Sequence, residues 1–291
     1  MKSLHIVATV LTLLLCTSCN GNGENNGNKT DADIWAHQKP LVAKVEVSSG
    51  GGVIESFEYT YDDKDRLLTL VKRDNLSGEV TLDLQYSYPG ENQVKIIGIF
   101  SPISTKRYII ASYDPKSSSL TYNGSWSGAW TYTTCHDENR IATRTECNTK
   151  FASKDGYYTS DMIYSEEYTV SGGTVVQAVA GTDIKAQSSK TTNTANSSVL
   201  TTVYTPGDQA DRQNFAAYLM PNYFPVWIAA GFPGNKKLIK SIGGATGTIP
   251  APETTTIEYS LNSAGDIDTA VRTDFNAGEP ILVLTYKFTY L

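Results

Sequence analysis

The sequence predicts an all-β protein, built as an antiparallel meander. Three observations predict it. Apolar residues recur at every second position through a series of short runs, the period of an extended chain with one face buried. Clusters of Gly, Asn, Asp and Ser separate those runs, and the connections are too short for crossover helices. Tyrosine, eighteen in all, and threonine are abundant, as suits strands, while Ala- and Leu-rich helical stretches are nearly absent.

The first residues give an address before the fold begins. Met1-Lys2 and the apolar run Leu4 to Leu15 read as a secretory signal, too short for a spanning helix. The run ends in Cys16-Thr17-Ser18-Cys19. Small residues before a cysteine resemble a bacterial lipobox, which makes residues 1–18 the signal and Cys19 the lipid-bearing first residue of the mature chain. Residues 19–37 are then a flexible tether, because Asn20 to Lys29 holds no apolar side chain. Residues 38–291 form a single β domain, with no linker-like break inside it.

The elements follow in order. Leu41, Ala43, Val45 and Val47 alternate with Lys44 and Glu46 in a first strand, turned at Ser49-Gly50-Gly51-Gly52. Phe57, Tyr59 and Tyr61 share one face of the second strand. Asp62-Asp63-Lys64-Asp65 breaks it, since aspartates bond nearby backbone and favour turns. Val80 to Tyr88 is the clearest strand, ended by Pro89-Gly90. Val94 to Phe100, Arg107 to Tyr113, Leu120 to Thr134, Ile141 to Phe151, Met162 to Val170 and Thr174 to Val179 continue the pattern. The polar tract Ala186 to Ser198 reads as a loop, and Val199 to Tyr204 as a strand. Asp208 to Met220 predicts one short helix, capped by Asp208 and stopped by Pro221. An irregular apolar plug, Tyr223 to Gly234, follows it, so the departure from strand runs from 208 to 234. Thr254 to Leu261, Asp266 to Thr273 and Ile281 to Tyr290 close the chain.

The unit Tyr59-x-Tyr61-Asp62-x-x-x-Arg66-Leu67 resembles the tyrosine–aspartate repeat of β-meander secretion proteins. It returns near the C-terminus at Ile257 to Ile267, where Asp266 stands in place of the arginine. Together with the lipobox and a late Asn214-Phe215, Gly231, Leu238-Ile239 passage, it resembles a Bacteroidales lipoprotein family of unknown function with a porin-like β fold. That resemblance implies an open or partly closed antiparallel barrel over roughly residues 40 to 291. It implies no activity and no functional residue.

The chemistry of known catalytic motifs is missing from the sequence. His37 and His136 are the histidines beyond the signal, and no partner for acid–base work stands at a telling spacing. No nucleophile elbow, phosphate loop or zinc spacing occurs. Asp62, Asp63 and Asp65 lack the further ligands of a calcium loop. We therefore expect no enzyme, no cofactor and no metal. The formal charge of −6, without a basic stripe, argues against nucleic acid. Cys135 and Cys147 are a candidate disulfide in an oxidising compartment, but a tight turn at Asp137 to Ile141 would hold them too far apart to join.

Two binding surfaces remain. Tyr122, Trp126, Trp130 and Tyr132 are a candidate aromatic platform for a glycan. Phe215, Tyr218, Tyr223, Phe224 and Trp227 either line an apolar cavity for a lipid or other amphiphile, or plug the concave face of the sheet. A spanning barrel is a third reading, suggested by the alternation Leu282, Leu284, Tyr286, Phe288, Tyr290, but most of the strands look shorter than the ~9–11 residues a membrane strand needs. The sequence thus points to a monomer anchored by lipid to the outer membrane, on a face it leaves open. Its function is binding of a glycan, with amphiphile binding or an assembly role in the envelope as alternatives.

Overall fold

The computed structural model describes residues 34–99, 107–126, 128–137, 140–152, 158–188, 191–212, 215, 218, 235–243 and 254–291. Sixteen strands form one sheet: β1 (Val42–Ser49), β2 (Gly52–Tyr61), β3 (Leu67–Asp74), β4 (Val80–Gly90), β5 (Gln93–Ile99), β6 (Arg107–Asp114), β7 (Ser119–Trp126), β8 (Gly128–His136), β9 (Ala142–Ala152), β10 (Tyr158–Ser171), β11 (Thr174–Ser188), β12 (Thr191–Ala210), β13 (Lys237–Gly243), β14 (Thr254–Leu261), β15 (Ile267–Asn276) and β16 (Glu279–Tyr290). Each strand pairs antiparallel with its neighbours in sequence, and β1 pairs with β16 from Val42↔Tyr290 to Ser48↔Thr285. The barrel is therefore closed, where the sequence left it open or partly closed.

Turn chemistry sets the hairpins. Gly50–Gly51 and Gly172–Gly173 take positive φ at both positions, the backbone of two-residue turns whose twist matches the strands they join. A second turn type recurs three times. Asp62 Oδ1 accepts the N–H groups of Lys64 and Arg66, each at 2.9 Å. Asn262 Oδ1 accepts those of Ala264 and Asp266. Asp137 Oδ1 accepts that of Ile141. In each, the fourth residue has positive φ: Asp65, Arg140 and Gly265. Asp137 thus corresponds to Asp62.

The period of two decides what faces in. Val45, Phe57, Leu70, Leu84, Ile96, Ile109 and Leu120 are buried on successive strands, while Lys44, Glu58, Thr69, Gln85 and Lys95 alternate with them on the outer wall. Sixteen strands enclose more space than their own side chains fill, as water-filled barrels of this size demonstrate. Connecting segments supply the rest. Trp35 is fully buried, and its Nε1 donates to the Glu91 carbonyl at 3.1 Å. Phe215 stacks at 5.2 Å on Tyr259 and 5.0 Å on Phe288, and Tyr218 packs edge-on to Tyr59 at 5.5 Å.

Several expectations need correction. Ile34 and Trp35 belong to the core and Ala36 bridges Arg66, so the fold begins ahead of the expected 37/38 division. Asp208 lies within β12, and Asp211 is the cap: its carboxylate accepts the N–H of Phe215 at 3.1 Å. Phe215 and Tyr218 have helical backbone, so the turn into helix starts three residues late, because β12 holds its ladder partners that far. The tract Ala186 to Ser198 is mostly strand, in register from Ala186↔Thr194 to Thr182↔Ser198. Ladder hydrogen bonds do not depend on side-chain polarity, and threonine favours strands. Strands of 14, 15 and 20 residues at β10 to β12 remove the length argument against spanning a membrane. The outer wall supplies another. Lys44 faces Glu58 and Glu46 faces Lys287 across adjacent strands, in the middle of a wall that would have to be an apolar belt against lipid. Tyr286 and Phe288 of the C-terminal alternation face the core instead.

One side-chain device repeats around the plugged end. Tyr61, Tyr88, Tyr259 and Tyr290 donate their hydroxyls to the carbonyls of Val42, Leu67, Ile239 and Ile267, at 3.0, 2.7, 2.7 and 2.6 Å. Each acceptor lies within the first three residues of the preceding strand. Tyr88→Phe or Tyr290→Phe should each cost roughly 0.5–1.5 kcal/mol in urea unfolding. Tyr59→Phe should cost nothing, since the Tyr59 hydroxyl is buried with no hydrogen-bond partner among the described residues; equal losses at all three positions would refute the assignment.

Gly98 marks a close approach of β4 and β5. A Cβ there would lie 1.9 Å from the Asp83 carbonyl oxygen, backbone that cannot swing aside. Gly98→Ala should destabilise by roughly 1–3 kcal/mol, as overpacking does, and an unchanged thermal midpoint would show that the strands can part.

Candidate functional site

The sequence candidates fall in different places. Tyr122 and Tyr132 stand opposite each other on β7 and β8, with Trp126↔Gly128 and Gly124↔Trp130 at the hairpin end. The expected loop around the tryptophans is thus a tight hairpin. The side chains of Tyr122, Trp126 and Trp130 lie outside the described residues. Tyr132 is half-buried against the core. Phe215 and Tyr218 are part of the apolar packing. Tyr223, Phe224 and Trp227 lie outside the described residues, as does Cys19.

Cys135 and Cys147 do not bridge each other. Cys135 pairs with Arg144 across the β8–β9 ladder, and Cys147 with Tyr132. Three residues of strand, ~10 Å, separate Cys147 from the position opposite Cys135, beyond bridging reach. The hairpin excludes the bridge, and Cys147 is a buried thiol hydrogen-bonded with the Tyr132 side chain, which together with burial raises the Tyr132 pKa.

The same ladders assemble a site that the sequence reading missed. Directly paired residues share a face of the sheet. Leu120, Thr134, Thr145, Glu166 and Ala180 form one such row across β7 to β11. Leu120, Thr134 and Thr145 are buried, so the row faces the lumen and carries Glu166 with it. Tyr164, Glu166 and Tyr168 are alternate residues of β10, and all three are half-buried. Their outward neighbours Ile163 and Glu167 are exposed.

Hydrogen bonds converge on one carboxylate oxygen. Tyr164 and Tyr168 both donate to Glu166 Oε2, at 2.8 and 2.7 Å. The Tyr168 hydroxyl also meets Thr145 Oγ1 at 3.3 Å, and Thr145 joins Thr134 at 3.1 Å. Burial and then the Glu166 charge raise the pKa values of Tyr164 and Tyr168 and push Tyr204 up to about 12. All three tyrosines therefore stay protonated. The wall offers hydroxyl oxygens, a carboxylate acceptor and aromatic faces together. A sequence signal exists in the pattern Tyr164-x-Glu166-x-Tyr168, an acid set between aromatics on one face of a strand. Among the described residues no group of three or more His, Cys, Asp or Glu side chains is placed to hold a metal ion.

No protein-family model matches the chain, and no curated protein matches it in sequence. In structure the chain is similar to a porin-like protein from Bacteroides uniformis, with a TM-score of 0.52 and 14% identity over 88% of this chain and 99% of that one. A porin-like protein from Bacteroides vulgatus aligns at 14% identity over 87% and 99%, with a TM-score of 0.42. The first likeness shows a shared barrel fold.

His136 closes β8 beside this wall. Its Nδ1 lies 3.3 Å from the Ser118 carbonyl, and burial lowers its pKa to about 4 against the pull of Ser118 and Asp137. The folded chain thus holds the neutral ring, and the unfolded chain takes up the proton first. Stability from this residue is complete above pH 6.5 and falls by about 1.4 kcal/mol per pH unit as pH drops towards 4. Comparing urea unfolding of the native chain with His136→Gln at pH 7 and pH 4.5 isolates the effect. The native chain should lose more stability over that interval, and equal losses would show that His136 is not the group responsible.

Proposed function

We propose that the chain is a lipid-anchored barrel of the outer membrane that binds a glycan on its inner wall, without catalysing a reaction on it. The carrying observation is the cluster of half-buried Tyr164, Glu166 and Tyr168, backed by buried Thr145, on a lumen face. Sugars present hydroxyls that both donate and accept, together with apolar ring faces. A wall of tyrosine rings, hydroxyls and one carboxylate matches all three. The opposite half of the barrel is filled by aliphatic and aromatic side chains, which favours a ligand of restricted size against β8 to β12.

The anchor reading rests on the lipobox-like run ending at Cys19, fifteen residues ahead of Ile34. Fifteen residues of extended chain reach at most ~50 Å, enough to hold a barrel beside a membrane without entering it. The charged outer wall fits a barrel in water better than one in lipid. One chain closes the whole sheet, which supports a monomer.

A thermal-shift screen of the mature chain in mild detergent, against neutral, acidic and amino-substituted oligosaccharides, tests the reading. A ligand at 100 times its Kd adds about 2.7 kcal/mol, and that should raise the midpoint by roughly 5–10 °C in a domain this large. Tyr168→Phe should reduce the shift. No shift with any saccharide, or a full shift in the variant, would sink the proposed site.

A further inference from the structure

Among the described residues, Glu55, Asp74, Asp274 and Glu166 are strand acids on the lumen face; Glu55 and Asp274 have cations, and Asp74 accepts the turn N–H groups of Leu76 and Ser77. Glu55 Oε1 meets Lys72 Nζ at 2.6 Å. Asp274 holds Arg272 through both carboxylate oxygens, at 2.9 Å each, and accepts the Thr255 hydroxyl at 2.7 Å. Glu166 has tyrosines only. Both of its hydrogen bonds enter Oε2, so Oε1 has no donor among the described residues, and no lysine or arginine among them comes within ion-pair distance. A carboxylate offers about four lone-pair positions, of which two are used here. Removing a charge from water without a counter-charge is costly, and where the other inward strand acids have a cation or backbone donors, this one stands half-exposed among tyrosines.

We infer that the ligand of this wall carries an ammonium group, such as the protonated 2-amino group of a hexosamine, seated against Glu166 Oε1. The inference rests on the glycan reading above and names the class of glycan. Three features support it. The free oxygen supplies a charge-assisted hydrogen bond, about twice as strong as a neutral one. The rings of Tyr164, Tyr168 and Tyr204 surround the same charge, and tyrosine faces attract cations. Burial first, and then the Glu166 charge, raise the pKa values of these tyrosines, and that charge supplies the field in which a cation would sit. A metal ion fits less well, since one carboxylate and neutral hydroxyls fall short of the oxygen set that calcium or magnesium takes.

The test is a matched set of oligosaccharides of one length at pH 6: a β-1,4-linked glucosamine hexamer, its fully N-acetylated counterpart and the glucose hexamer. Titration calorimetry on the mature chain and on Glu166→Gln reads the affinities. The glucosamine hexamer should bind the native chain at least tenfold more tightly than the other two, and E166Q should bring the three within about twofold. Raising the salt concentration should shrink the native preference. Equal binding of the three by the native chain would overturn the ammonium inference and leave the glycan reading standing, whereas no binding of any saccharide in the wider screen would overturn both. A preference that survives in E166Q also overturns the inference, because general attraction to a chain with thirty acids would outlast the loss of one. If E166Q does not fold, the matched set on the native chain decides alone.

Discussion

The pairing of β1 with β16 is the constraint on which the rest of the molecule depends. β1 is held by six pairs to β16 and by six to β2, so no strand presents an edge. Closure also converts the period of two into a strict division between lumen and exterior. A one-residue slip in β1 would exchange Val45 and Val47 with Lys44 and Glu46. That would put charge into the core at the very place where the barrel closes. The apolar row and the closed sheet therefore specify each other.

Closure at sixteen strands creates a second problem, which the chain solves with parts that are not strands. Trp35 enters from before β1, and Phe215 and Tyr218 enter from the connection between β12 and β13. All arrive at the end where Tyr61, Tyr88, Tyr259 and Tyr290 tie neighbouring strands together. At the opposite end the lumen residues turn polar, with Glu55, Lys72, Arg272 and Asp274 in two ion pairs. The barrel is thus packed from one end and one side. The wall of β8 to β12 is the part with inward polar groups that packing does not use up.

The hairpins were legible in the sequence because their signals are local. Alternation identifies a strand, and Asp62 or Asn262 identifies a turn, within ten residues. What could not be read was long-range. Val42 and Tyr290 are neighbours in the barrel but stand at opposite ends of the fold in sequence. The tyrosines were visible as a repeat, yet their acceptors are carbonyls 19 to 23 residues upstream, and any residue can supply a carbonyl. The tract from 186 to 198 misled because polarity was taken for a loop signal, when both faces of a long strand can be polar. Trp35 misled in the opposite way. It lies next to a segment too polar to pack and was assigned to it. The Glu166 wall was missed because one acid in a strand looks like a solvated outer residue until the register places it in a row with Leu120, Thr134 and Thr145.

That last point bears on what the barrel fold can say about function. A porin-like shape suggests passage through a membrane, and shape alone does not decide function. Polarity is the better guide, because it records which solvent each face was built for. Here Lys44, Glu46, Glu58 and Lys287 lie outside, and leucines, valines and aromatics lie inside. Around β1, β2 and β16 this arrangement is the reverse of a barrel that encloses water and faces lipid, while Ile163, Val179 and Val203 stand exposed on β10 to β12. A barrel packed in this way cannot conduct through its filled half. Its remaining inward polar groups must then either satisfy one another or meet something that enters. Lys72 and Arg272 satisfy their partners. Glu166 has two tyrosines on one oxygen and, among the described residues, no donor on the other, so it is an inner-wall group that can still meet something that enters.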